Sequence, residues 1–408
     1  LVLFSTSARS TLVELVLDVR SSAHRIHMSN GQSKPIAPNP SGYGASTKFL
    51  LDASLSLINR TGAHYLAEEL CRALDVSDQV VIRRWRLVGK PLPPAFMRKV
   101  FGRLMLKELT LLPDTTRWLW PEPANLSLRR IFLDPLYVLR SRLGSSDIVL
   151  CHDIGPITHP HLYDVGTKEM YSAAYAKVVP VRPGIVFVSD ASRGAFEANY
   201  GTQFRFMRVI PPLVRESTAT GETKPVPGIV KPFFLTVGTL ERRKNQAAAI
   251  RGFVESNLHA RGFNYVLCGA RGMGASEIDA MVKQTPGVQV LGYVSDAQLR
   301  WLYREATAFV LPSLLEGFGM PALEAARHGL IPILSRNSAL TEAVGDHGIP
   351  VNPESPTEIA DAMRYVAGLT PEQRTESSRA LIEHASSATR DKFLLSWKIL
   401  LADESGLA

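Results

Sequence analysis

Short apolar runs, each stopped by glycine or a polar residue and followed by a helix-like pattern, recur along most of the chain, and this alternation limits the fold more than any other feature. Phe49–Leu55, Asp147–Leu150, Val186–Val188 and Val209–Ile210 form one series; Phe233–Val237, Tyr265–Cys268, Val288–Val294 and Thr307–Leu311 form a second. Runs of this length, rich in β-branched and aromatic residues, read as buried strands. Strands that alternate with helices pair in parallel, and 408 residues exceed one ordinary hydrophobic core. The expected fold class is therefore α/β, with two doubly wound parallel sheets facing each other.

The last strand of the second series leads into the most informative segment, Leu311 to Glu324, which reads LPSLLEGFGMPALE. Gly317 and Gly319 let the chain turn, Pro321 suits a first helical turn, and Ala325, Ala326 and Gly329 continue and stop a short helix. A helix start leaves N–H groups unpartnered at the positive end of the dipole, so Phe318, Gly319 and Met320 are candidate amide donors to an anion. Glu316 falls in the loop, and Glu324 falls about one turn inside the helix. An anion seated between two acids needs hydroxyls for them to accept from. A nucleotide sugar supplies both, with a diphosphate for the amides and sugar and ribose hydroxyls for the acids. Taken alone, the acids fit a solvated helix face equally well.

Context comes from Phe233–Val237, which Gly238 ends. The chain then runs through Thr239-Leu240-Glu241-Arg242-Arg243-Lys244 into an alanine-rich helix, Gln246–Val254, with Asn245 as its expected N-cap. Arg243 and Lys244 thus sit at the carboxyl edge of a strand, where open α/β sheets bind ligands. A guanidinium holds phosphate oxygens as a fork, and an ammonium acts as a compact charge. By itself such a pair is also ordinary surface charge.

Gly238-Thr239-Leu240-Glu241, Arg243-Lys244-Asn245 and the Glu316 to Glu324 segment with its EGFG turn, in this order, resemble the donor half of retaining glycosyltransferases of family 4, which have the GT-B fold of two Rossmann-like domains. The resemblance covers residues 48–400. It implies an acceptor-side domain at 48–215, a linker at 216–231, a nucleotide-sugar domain at 232–385 and a last helix, 386–408, that crosses back to the first domain. It implies that Gly238, Arg243 and Lys244 hold the donor diphosphate together with the amides near Gly319, that Glu316 contacts the transferred sugar, and that Glu324 accepts from ribose hydroxyls. The loop containing Tyr293 and Val294 would face the nucleotide base. In the front domain it implies roles for Gly62, in the loop where acceptor and donor phosphates meet, and for His152, whose ring would reach the donor sugar while Asp153 fixes its tautomer. Arg242 stands where the family commonly has proline, and it is given no role. Cys151 and His152 make a poor thiol-hydrolase pair, because neighbours along a strand point to opposite faces. Ser189 or Asp190 is the expected cap of the helix after Val186–Val188, and Gly269 to Gly274 reads as a crossover loop.

Cys71, Cys151 and Cys268 are scattered, without the spacing of a disulfide framework or a metal site, which favours a reducing cytoplasm. No apolar run is long enough for a membrane-spanning helix. Residues 1–47 are expected to be an extension, disordered or mis-started, with the natural product beginning near Met28. The net charge of +8 has its richest source in Arg83 to Lys107, which holds eight cations and no acid, interleaved with Trp85, Phe96, Met97 and Phe101. We expect this segment to rest on an anionic membrane surface, the alternative being a core helix with a basic outer face. No nucleic-acid motif accompanies the charge.

The expectation is therefore a cytoplasmic, peripherally membrane-associated, retaining hexosyltransferase that needs neither metal nor cofactor. GDP-mannose is the favoured donor, and a polysaccharide or lipid-linked oligosaccharide is the acceptor. The alternatives are a sugar-nucleotide epimerase of the same architecture and a catalytically silent scaffold that binds nucleotide sugar.

Overall fold

The computed structural model describes residues 49–52, 65–66, 69–70, 79–82 and 129–405 except 337–338. The expected extension 1–47, Gly62, Cys71 and the basic segment Arg83 to Lys107 lie outside the described residues.

Two six-stranded parallel sheets carry the fold. The first contains β1 (Phe49–Asp52), β2 (Gln79–Ile82), β3 (Arg129–Phe132), β4 (Ile148–Cys151), β5 (Gly184–Phe187) and β6 (Phe206–Val209), in the order β2-β1-β3-β4-β5-β6. The second contains β7 (Phe233–Val237), β8 (Asn264–Cys268), β9 (Val288–Leu291), β10 (Phe309–Leu311), β11 (Pro332–Ser335) and β12 (Ile349–Val351), in the order β12-β11-β10-β7-β8-β9. All four residues of β4, β5 and β11 are buried, as they must be in a parallel sheet covered by helices on both faces. In the second sheet the order of strands reverses between β7 and β10. Adjacent strands there send their following loops to opposite sides, which opens the sheet edge to a ligand. Both motif loops, 238–245 and 312–319, leave from that point.

The segment 216–231, expected to be a linker too polar to join a core, is instead fastened to the second domain. Glu216–Ala219 is a helical turn with Thr218 buried. Arg300 on the helix Asp296–Glu305 donates to the carbonyls of Ser217 and Glu222, and the Lys224 amide donates to the Ala297 carbonyl at 3.0 Å. Val226 is buried. A guanidinium with several donors satisfies irregular backbone carbonyls that composition marks only as loop.

The last helix, Arg390–Ser405, reaches the first domain at both ends. Arg390 Nε meets Glu69 Oε2 at 2.8 Å, and Glu404 pairs with Arg205 beside β6. Between them Phe393, Trp397, Leu400 and Leu401 are buried, each full burial of such a side chain contributing roughly 1.5–3 kcal/mol.

Candidate active site

The loop after β7 is held from two sides. Leu314 N donates to the Arg243 carbonyl at 2.9 Å, which ties it to the loop after β10. On the other side Leu240 N donates to Ala270 O, Gly272 N to Leu240 O and Arg242 N to Met273 O, at 2.8–3.1 Å. The Gly269 to Gly274 crossover is thus a brace for the candidate donor loop. Arg242 points outward to an exposed ion pair with Glu277. Asn245 does not cap the following helix. Its backbone is left-handed (φ 54°), whereas an N-cap needs an extended one, and its side-chain amide donates to the carbonyls of Pro312 (3.0 Å) and Pro353 (2.7 Å).

This bracing brings Arg243 and Lys244 onto Glu316. Lys244 Nζ and Ser313 Oγ both donate to Glu316 Oε1, the latter at 2.8 Å, and Arg243 Nη1 reaches Oε2 at 3.2 Å. Arg243 also donates to the Leu315 carbonyl at 3.1 Å and to Glu241 at 2.8 Å. Burial pulls the Lys244 ammonium below its ordinary value of 10.5, against the opposing pull of Glu316. Burial also pushes the Glu316 carboxyl up, but Lys244 and Arg243 together outweigh it and hold the group below 4.5. Glu316 thus faces Lys244 and Arg243 rather than open solvent. The lysine stem passes Gly238, with Cε 3.8 Å from where a β-carbon there would lie.

Because the folded-state pKa of Glu316 is depressed, its contribution to stability is complete above 4.5 and is lost as pH falls through the lower folded value. We expect Glu316→Gln to melt lower than the parent at neutral pH and to decline less steeply below about pH 4.5. Thermal melts across that range check this; superimposable acid limbs would show that the carboxylate is not held by its cations.

Gly319 has φ +99°, a conformation that glycine tolerates, and starts the helix Met320–Arg327 with Pro321 in its first turn. The amides of Phe318, Gly319 and Met320 meet no acceptor among the described residues. Gly317 serves a different purpose from the turn expected of it. Its φ is not in the left-handed region, and a β-carbon there would lie 2.3 Å from the His152 carbonyl of the first domain. Glycine is required because two backbones meet.

His152 contributes that carbonyl, while its ring Nε2 is bonded to the Leu133 carbonyl at 2.9 Å within its own domain. Asp153 does not orient the ring; its carboxylate accepts from Gly155 N at 2.8 Å. Cys151 is buried against Tyr175, and burial pushes its thiol far above the ordinary range, so it is no nucleophile.

Glu324, 2% exposed, lies on the helix after the amide cluster. Arg215 grips both of its oxygens, Nε to Oε1 at 2.5 Å and Nη2 to Oε2 at 3.0 Å, and the Tyr303 hydroxyl donates to Oε2 at 3.0 Å. The Arg215 guanidinium also lies 4.5 Å from the ring centroid of Tyr65 in the first domain. The structure thus assembles Arg243, Lys244, Glu316 and the three amides, and gives Glu324 its own cation. Tyr293 is 76% exposed, in the loop between edge strand β9 and the helix capped by Ser295. Arg215, Tyr303, Ser313 and Glu241 were missed by the sequence reading; only Glu241 had a local signal, its place two residues before Arg243.

Residues 222–385, which hold both motif loops, match the family described as glycosyl transferases group 1. The O-antigen chain mannosyltransferase B of Escherichia coli is 28% identical over 280 residues, covering 64% of this chain and 72% of that protein. The GDP-mannose:cellobiosyl-diphosphopolyprenol alpha-mannosyltransferase of Komagataeibacter xylinus is 37% identical over 87 residues, 21% of this chain and 22% of that one. The sucrose-phosphate synthase of Thermosynechococcus elongatus superposes with a TM-score of 0.64 at 16% identity, covering 89% of this chain and all of that structure. The two sheets and this likeness establish the GT-B fold, with the matched residues 222–385 lying in its second lobe.

Proposed function

We propose that this glycosyltransferase takes a mannosyl group from a nucleotide sugar, with GDP-mannose as the favoured donor, and delivers it with retention to a polysaccharide or lipid-linked oligosaccharide. The observation that carries the reading is the convergence of Arg243 and Lys244 on Glu316, in the loop that leads to the Phe318, Gly319 and Met320 amides, which meet no acceptor among the described residues. Fixed donors of this kind stabilise most where negative charge builds, and on a nucleotide sugar that place is the departing diphosphate. The names of the two mannosyltransferase relatives support mannose, and that of the second supports GDP as the carrier.

In this reading an arriving diphosphate competes with Glu316 for Lys244 and Arg243. The carboxylate so relieved accepts from hydroxyls of the sugar, and Glu324 accepts from the ribose. The bond from the anomeric carbon to phosphate breaks with its electron pair going to the diphosphate. The acceptor oxygen then bonds that carbon on the same face and passes its proton to a leaving phosphate oxygen. No enzymatic nucleophile and no metal enter the scheme. A cytoplasmic location, on the strength of the scattered cysteines, and contact of Arg83 to Lys107 with the inner membrane surface, on the strength of the charge pattern, complete the proposal.

A thermal-shift panel of GDP-, UDP- and dTDP-sugars tests the donor. The matching one, at a hundredfold its dissociation constant, is expected to stabilise the chain by about 2.7 kcal/mol and the others by little. Nucleoside diphosphate released in proportion to glycosylated acceptor is the expected product pattern. Epimerised sugar nucleotide, or binding without release, would replace the transferase reading with one of its alternatives.

A further inference from the structure

The first domain carries out a task inside the donor site of the second. The helix Asp190–Tyr200 follows β5 in the first domain, and its N-terminus points at the loop and helices beyond β10 and β11. Glu342, on the short helix Leu340–Val344 of the second domain, accepts from the amides of Asp190 and Ala191, each at 2.7 Å, one on each carboxylate oxygen. A carboxylate at a helix N-terminus is a charge-assisted, dipole-favoured contact. Beside it Ser189 Oγ donates to the Gly317 carbonyl at 2.5 Å. Ser192 Oγ lies 2.8 Å from the His152 carbonyl and 2.9 Å from the Gly317 carbonyl. Each hydroxyl has one proton. Ser189 Oγ accepts from Ser192 N at 3.0 Å and gives its proton either to the Gly317 carbonyl, the shorter contact, or to Ser192 Oγ at 2.9 Å. Ser192 donates to either of its two carbonyls, so the Gly317 carbonyl has two hydroxyls within reach.

Pinning the Gly317 carbonyl has a consequence one atom further on. The 317–318 peptide is trans, so its N–H points opposite to its C=O. With the carbonyl held toward Ser189, the Phe318 N–H faces the other way, where no acceptor among the described residues meets it. We propose that Ser189, Ser192 and Glu342 are positioning residues for transfer: they clasp the first domain to the second and thereby aim the Phe318 amide at the donor phosphate. This deepens the donor-site reading given above and rests on it. Each domain has its own six-stranded sheet, so the clasp adds alignment of the site rather than the fold of either half.

The full-length chain carrying Ser192→Ala, Glu342→Ala or Glu342→Gln tests this. Amide hydrogen exchange is expected to quicken at Asp190 and Ala191 in Glu342→Ala. kcat for GDP release from GDP-mannose is expected to fall about tenfold in Glu342→Ala and Ser192→Ala while the melting temperature of the unliganded protein stays near that of the parent. Glu342→Gln, which keeps an acceptor oxygen without the charge, is expected to fall less, and it serves also should an alanine variant not fold. Unchanged exchange at residues 190 and 191, or parental kcat in both alanine variants, overturns the clasp. Lys244→Ala, probed with GDP by calorimetry, separates the two readings. Lost GDP binding there with parental kcat in the clasp variants removes the clasp alone. Retained GDP binding there removes the donor site, and exchange at 190 and 191 then decides the clasp by itself.

Discussion

Replacing Lys244 with alanine is expected to lower turnover on the order of 10²- to 10³-fold and to destabilise the chain by roughly 3–5 kcal/mol. The two losses have different causes. Turnover falls because one of the cations facing the departing diphosphate is gone. Stability falls because the buried Glu316 carboxylate loses its closest partner and keeps only Arg243 and Ser313. The double variant Lys244→Met, Glu316→Gln removes the buried lysine and its carboxylate together. It leaves Arg243 paired, among the described residues, with Glu241 alone, and should recover part of the stability by chemical denaturation while initial rates stay low. Recovery of both together would make Lys244 a structural lysine.

Gly317→Ala is expected to cost about 10²-fold in kcat with only a small change in unfolding temperature. The added methyl would stand 2.3 Å from the His152 carbonyl, a backbone atom that no rotamer change can move aside. The loop and the first domain must therefore separate, and a displacement of about 1 Å at a reacting centre costs turnover on this scale. Neither sheet includes residue 152 or 317, so both sheets stay paired. Rates and melts of the purified variant check the prediction; parental turnover would show that the close approach of the two backbones does not matter to transfer.

Much of the site was legible because its loops carry local signals. Gly319 takes the left-handed conformation that its place before a helix suggests, Pro321 stands in the first helical turn, and Arg243 and Lys244 sit where a strand hands over to a helix. Asn245 shows the limit of that method. A polar residue before an alanine-rich helix reads as a cap, yet the loop needed a left-handed residue there and spent its side chain on two distant carbonyls. His152 shows a second limit. Position at a strand end was evident, but whether ring or carbonyl meets the other domain depends on a bond to Leu133 that no spacing announces.

From the sequence alone came the alternation that makes two parallel sheets, the glycine-bounded turns, and the placing of acids and cations at strand ends, since each of these depends on residues a few positions apart. What only tertiary structure decided is which charge answers which. Arg215 holds Glu324 across 109 residues, and Glu342 caps the helix at Asp190 across 152. The physical reason is that a buried carboxylate such as Glu324 must find donors, and an exposed one such as Glu342 gains by meeting a helix N-terminus, wherever the fold brings them within hydrogen-bond reach; that meeting is set by the packing of whole domains rather than by any local pattern.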